Sequence, residues 1–284
     1  MAIGVGLNTA FVAAEMFAGL WAGSLALLAD AGHNAGDVVG LLLAWGASWL
    51  ARRPPSQRYT WGLRRTTIYA ALTNAVLLLV ACGAILWEAA HRLQSPEPVA
   101  GPTVILVAGI GVVINTLSAL VFLRGHGDAN VRGAFLHMAA DAAVSVGVVF
   151  AGIAIAATGR LWIDPLVSIV IAMVIVVGTW GLFRESVDLA LDAVPRGVDP
   201  REITASLAAV AGVVEVHDLH VWAASTSETS LTAHLVVTDV ADRDAVLSTA
   251  LHLLKERFHV AHATLQLEGL PAGEHCPQRP DTTL

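Results

Sequence analysis

Long apolar runs separated by short polar breaks fill the first two thirds of the chain. Six of them, at 2–22, 25–51, 64–90, 102–123, 132–157 and 163–183, reach the length of about 20 residues that a helix needs to cross about 30 Å of hydrocarbon. Gly23-Ser24 is the tightest break and makes the first two helices a hairpin. Pro54-Pro55 ends the second helix, Ser95-Pro96-Glu97-Pro98 the third, and Gly159-Arg160 separates the fifth from the sixth. From about Pro195 the pattern changes. A short amphipathic helix opens at Pro200-Arg201-Glu202-Ile203, and two β-branched, apolar stretches, 213–223 and 230–238, read as a hairpin across Ser225-Thr226-Ser227-Glu228. A helix over 242–258, with Asp242 as N-cap, and a strand over 263–267 follow. The expected fold is therefore a polytopic α-helical membrane protein of six transmembrane helices (1–194). An α-β-β-α-β domain (195–270) and a flexible tail (271–284) complete it.

Composition sharpens this picture. The 284 residues are 56% hydrophobic and 14% charged, where globular domains carry about 25% charge. The net charge of -7 is uneven: residues 195–284 hold 12 acidic and 6 basic side chains, residues 1–194 hold 11 and 10. An acidic, water-exposed domain on a near-neutral membrane part gives nucleic acid no basic surface to bind. Two cysteines, Cys82 and Cys276, make no disulfide framework. No charged n-region precedes the first apolar run, so that run is its own targeting signal, and the abrupt apolar start leaves room for an extension before Met1. Arginines set the orientation. Arg52, Arg53, Arg58, Arg64 and Arg65 lie between helices two and three, Arg124 and Arg132 between four and five, against Arg92 and Arg160 in the opposite loops. The positive-inside rule then places both termini in the cytoplasm of a cell whose inner or plasma membrane holds the chain.

Ionisable residues inside apolar helices are costly and mark ion paths or partners. His33 and Asp37 stand four residues apart in the second run, with Asp30 one turn earlier, and His137 and Asp141 repeat the spacing in the fifth. Side chains at i and i+4 share a helix face. Helices two and five run antiparallel in this topology, which levels His33 with Asp141 and Asp37 with His137. Two imidazoles and two carboxylates suit tetrahedral zinc. With Zn²⁺ bound the site is neutral; without it two carboxylates stand in low dielectric, so protons replace the metal and proton-coupled antiport follows. Asp30 caps or pairs structurally, or touches metal.

In the C-terminal part, strand alternation places His262, Thr264, Gln266 and Glu268 on the polar face of the last strand. It puts Asp218, His220 and Trp222 on one face of the first strand and His217 with Leu219 and Val221 on the other, which favours His220 over His217. His234 lies in the second strand. His252 and His259 read as surface residues of the helix, and His126 as a solvated loop residue. His275-Cys276 in the tail offers a thiolate and an imidazole to a zinc site.

The segment Ser24 to Asp37, Tyr59-Thr60-Trp61-Gly62, Asn130 to His137 with Asp141, Asp164-Pro165-Leu166-Val167-Ser168, and Val216-His217-Asp218-Leu219-His220-Val221-Trp222 resemble the cation diffusion facilitator family. The likeness is nearest to its bacterial zinc exporters and covers essentially the whole chain. It implies a homodimer with a cytoplasmic metallochaperone-like domain, exporting Zn²⁺, with Cd²⁺ as a further cargo, against protons. It also implies that His33, Asp37, His137 and Asp141 are the transport site and that His217, His234, His262 and Glu268 hold a cytoplasmic zinc pair; His220 and Cys276 stay beside them as candidates. The chain departs from many zinc-transporting relatives in the loop Arg124-Gly125-His126-Gly127-Asp128, which has one histidine, and in the absence of His or Asp between helices two and three. Rival readings are an exporter of Co²⁺, Ni²⁺, Fe²⁺ or Mn²⁺ and a membrane-anchored metal sensor without transport. A metalloprotease is excluded by the lack of a His-Glu-x2-His motif, and no enzyme activity is expected.

Overall fold

A computed structural model describes residues 2–123, 129–270 and Cys276, with side chains described from residue 9 to 120, from 135 to 270 and at Cys276. His126 and His275 lie outside the described residues. Six long helices come first: α1 (Ala2–Ala22), α2 (Leu25–Ala51), α3 (Thr66–Gln94), α4 (Gly101–Leu123), α5 (Ala129–Thr158) and α6 (Ile163–Ala190). Then follow α7 (Pro200–Ala208), β1 (Val213–Ala223), β2 (Thr229–Val237), α8 (Arg243–Phe258) and β3 (Val260–Gly269). Contacts divide the chain into two compact units: Met1–Leu43 with Thr73–Phe183, and Ala44–Leu72 with Arg184–Leu284.

In the first unit, stretches of α3, α4, α5 and α6 are long and apolar enough to cross a membrane, the searched span of α5 beginning at Phe135. α2 has the length, at 27 residues, but Asp30, His33, Asn34 and Asp37 dilute its hydrophobicity. Leu27, Ala29, Val104, Ala108, Val148, Ile171 and Ala172 form a core of small and branched side chains. Such residues let helix backbones approach where no hydrophobic effect drives them together. Trp21, Trp87 and Trp162 are exposed at the end of α1, the end of α3 and the start of α6, helix ends on one side of the bundle. Amphipathic rings at that level suit a membrane interface.

The α1–α2 turn is held by groups far away in sequence. Gly23 takes φ +67°, and a Cβ there would meet Pro98 O at 2.7 Å. Arg92 donates to the Gly23 carbonyl at 2.6 Å and Ala100 N to Ala22 O at 2.8 Å. Asp164, at the start of α6, accepts from the Ser24 hydroxyl (2.5 Å), Leu25 N (2.6 Å) and Ala26 N (3.4 Å). It thereby caps α2 across the bundle, satisfying amides that no carbonyl within the helix reaches. Deeper in α2, Gly36 lets Leu78 of α3 lie where its own side chain would stand, 2.2 Å from the position of a Cβ.

In the second unit, β1, β2 and β3 form one sheet in that order, β1–β2 antiparallel and β2–β3 parallel. Val221, Leu231, Ala233 and Leu235 bury one face against Ile203 and Leu207 of α7 and Leu254 of α8. Asp199 caps α7, with Pro200 at its first position, and Asp242 caps α8 by accepting from Asp244 N and Ala245 N. α8 ends on His259 in the left-handed conformation, so His259 is the cap rather than a helix residue; it and His252 are exposed. The segment 44–72 belongs to this unit. Arg64 pairs with Glu228 at 2.6 Å, Arg65 with Asp192, and Thr226 N donates to the Thr67 hydroxyl at 3.1 Å.

Candidate metal centre

α2 and α5 bring His33, Asp37, His137 and Asp141 together, one ligand atom from each lying within 4.8 Å of all the others. The pairing across the helices follows their antiparallel course. His33 Nε2 lies 3.2 Å from Asp141 Oδ1, and His137 Nε2 lies 3.1 Å from Asp37 Oδ2 and 3.7 Å from Asp141 Oδ2. Ligands at zinc distances on a tetrahedron are about 3.4 Å apart along each edge. The three separations lie within about 0.3 Å of that value. The rings of His33 and His137 meet edge to face at 5.9 Å. Asp141 is buried, His33 and Asp37 are half-buried, and His137 is exposed. His33 Nδ1 and Asp141 Oδ2 are buried without a hydrogen-bond partner among the described residues. Asp30 lies outside this quartet: it is fully buried and accepts from the Ser145 hydroxyl of α5 at 2.7 Å.

A second cluster sits on the sheet face away from α7 and α8. His217, His234, Glu268 and Cys276 place one ligand atom each within 4.8 Å of one another. His234 Nδ1 is 3.0 Å from Glu268 Oε1 and 3.6 Å from Cys276 Sγ, and His217 Nε2 is 3.5 Å from Glu268 Oε2. The first three are nearly or fully buried, and both ring nitrogens of His217 and Glu268 Oε2 lack a hydrogen-bond partner among the described residues. Buried polar atoms left unpaired are costly, and a cation would pair one ring nitrogen of His217 and the Glu268 carboxylate.

Strand parity is broken here. His217 pairs with His234 and His220 with Thr232, so β1 spends three residues where β2 spends two. The bulge contains Asp218 at φ +50°, a conformation that aspartate tolerates better than most residues. His217 and His220 therefore share the polar face with Trp222, and alternation does not choose between them. His220 remains exposed, bonded to Asp218 at 3.1 Å. His262 is likewise outside the cluster, its ring edge to face with Trp61 at 4.7 Å.

Residues 1–189 match the family profile described as cation efflux transmembrane domain, and residues 195–270 match that of the cation efflux protein cytoplasmic domain. The chain belongs to the cation efflux family. Among relatives of this family, the metal cation efflux system protein CzcD of Cupriavidus metallidurans is 36% identical over 271 residues, 95% of this chain and 86% of the relative. The zinc transporter ZitB of Escherichia coli is 36% identical over 277 residues, 95% and 88% of the two chains. A cadmium, cobalt and zinc/H⁺-K⁺ antiporter of Bacillus subtilis is 32% identical over 267 residues, 92% and 85%. A cation efflux protein is a polytopic helical membrane protein with a cytoplasmic α+β domain, in agreement with the two units described above.

One acidic residue of this cation efflux chain escaped the reading of its sequence. Glu15 of α1 is fully buried and accepts from Asn34 Nδ2 at 3.3 Å. It is the lone ionisable side chain of α1, and that solitude in an apolar run was the available signal.

Proposed function

We propose that this chain exports divalent metal from the cytoplasm, zinc first and cadmium second, in exchange for protons, with His33, Asp37, His137 and Asp141 holding the cargo. The observation that carries the reading is the convergence of two imidazoles and two carboxylates, from two antiparallel apolar helices, at separations close to tetrahedral edges. Each histidine in the quartet meets an aspartate of the other helix through Nε2. In such a contact a proton lies between nitrogen and oxygen, and a metal binding to the same atoms displaces it. Exchange of protons for metal is thus a property of the ligand set. Zinc in the name of the ZitB relative, efflux in that of CzcD and the proton in that of the Bacillus antiporter support the reading.

His217, His234, Glu268 and Cys276 would hold a resident zinc in the cytoplasmic domain. Two nitrogens, a carboxylate and a thiolate fit its preferences, and it would satisfy one ring nitrogen of His217 and the carboxylate of Glu268. There the ion supplies positive charge to a part of the chain with 12 acidic and 6 basic residues, and lower repulsion favours two copies meeting as a homodimer. Arginine placement supports an inner or plasma membrane location with both termini cytoplasmic.

The test is uptake of Zn²⁺, Cd²⁺, Co²⁺ and Mn²⁺ into inverted membrane vesicles, with and without an imposed pH gradient. Zinc uptake driven by the gradient in wild type is the expected result. Uptake indifferent to the gradient would overturn the antiport, and preferred uptake of manganese would overturn the cargo.

A further inference from the structure

The quartet leaves two buried acids of the first unit without a role. Glu15 and Asp30 are both fully buried, and Asn34, which donates to Glu15, stands one turn after Asp30 on the same face of α2. Each has one oxygen provided for: Asn34 donates to Glu15 Oε2 at 3.3 Å, and Ser145 to Asp30 Oδ2 at 2.7 Å. The other oxygens, Glu15 Oε1 and Asp30 Oδ1, have no hydrogen-bond partner among the described residues. Neither acid forms an ion pair with Lys or Arg there. Two bare carboxylates in a dry pocket repel one another and lack solvation. One proton held between them removes the repulsion and gives both orphaned oxygens a partner.

We propose that Glu15 and Asp30 share a proton and release it when a divalent cation occupies the quartet of α2 and α5. The idea rests on the transport reading and adds to it a proton site separate from the metal ligands. Asp30 stands one turn before His33, and its donor Ser145 stands one turn after Asp141 on α5. Two positive charges arriving at those ligands stabilise a second carboxylate charge nearby, because interactions are strong in low dielectric. The proton leaves as the metal enters and returns as the metal departs; no covalent bond other than O–H changes. α1 carries no ionisable side chain besides Glu15, and α4 carries none; α2 carries His33 and Asp37 beside Asp30, and α5 carries Arg132, His137 and Asp141. Among the described residues no hydrogen bond joins Glu15 or Asp30 to the four ligands.

The experiment is calorimetric zinc titration of the purified full-length protein in buffers of different ionisation enthalpy, which counts protons released per zinc. Glu15→Gln keeps the shape and the Asn34 contact but removes the shared proton. It is expected to bind zinc with wild-type stoichiometry and, at saturation, to release about one proton fewer per chain than wild type. Glu15→Asp restores the release. An unchanged proton count in Glu15→Gln overturns the proposal. Infrared difference spectra of wild type give a second reading that needs no variant. Zinc should abolish a protonated-carboxyl C=O band, and a spectrum without that loss overturns the proposal as well. Asp141→Ala separates the two readings: wild-type zinc stoichiometry in that variant counts against the quartet, whatever the proton count of Glu15→Gln.

Discussion

The two His-and-carboxylate clusters differ in how they are built. The quartet draws its ligands from two helices and leaves His137 exposed. The sheet cluster fixes His217, His234 and Glu268 on neighbouring strands, nearly buried, and takes its fourth group from Cys276 beyond β3. Cargo has to enter and leave, so a site shared by two helices with an accessible edge suits transport. A resident ion needs retention, and three buried side chains on a hydrogen-bonded sheet would provide it. Closed sites with sulfur go with structural zinc, open ones with exchange.

The largest break in this comparison comes from removing a quartet carboxylate. Asp141→Ala is expected to cut zinc flux by about two orders of magnitude or more, since even outer-shell partners cost 10–100-fold. Leu235→Ala strikes the sheet: it empties a fully buried position and should destabilise the domain by about 2–5 kcal/mol, read as an early thermal transition. Asp164→Ala removes the cap of α2 and leaves Ser24 and two amides unserved. A loss of about 1–3 kcal/mol is expected, with lower zinc flux but an unchanged order of metal preference. Cys276→Ser sharpens the contrast, since it should weaken zinc binding at the sheet cluster by about tenfold and leave transport near wild type. In both clusters zinc binding is expected to weaken as pH falls, because protons compete for the same atoms. Arg257→Ala, which breaks an exposed pair with Glu202, should change stability by less than about 1 kcal/mol.

Helix and strand spans were legible from periodicity, because an apolar run of membrane length or an alternating stretch leaves few alternatives. The level pairing of His33 with Asp141 followed from two spacings and one antiparallel topology. The bulge at Asp218 was not legible, since neither Gly nor Pro marks it and the extra residue shows only in the pairing with β2. The reach of Cys276 to His234 joins groups 42 residues apart, which no local pattern encodes. Nor did sequence assign Asp164 to the head of α2: a cap supplied from 139 residues away leaves no local signature.

Zinc flux in inverted vesicles, measured side by side for Asp141→Ala and His217→Ala, tests the division of labour most directly. Flux lost in Asp141→Ala and retained in His217→Ala is the expected result. Flux that survives in Asp141→Ala and vanishes in His217→Ala would contradict it.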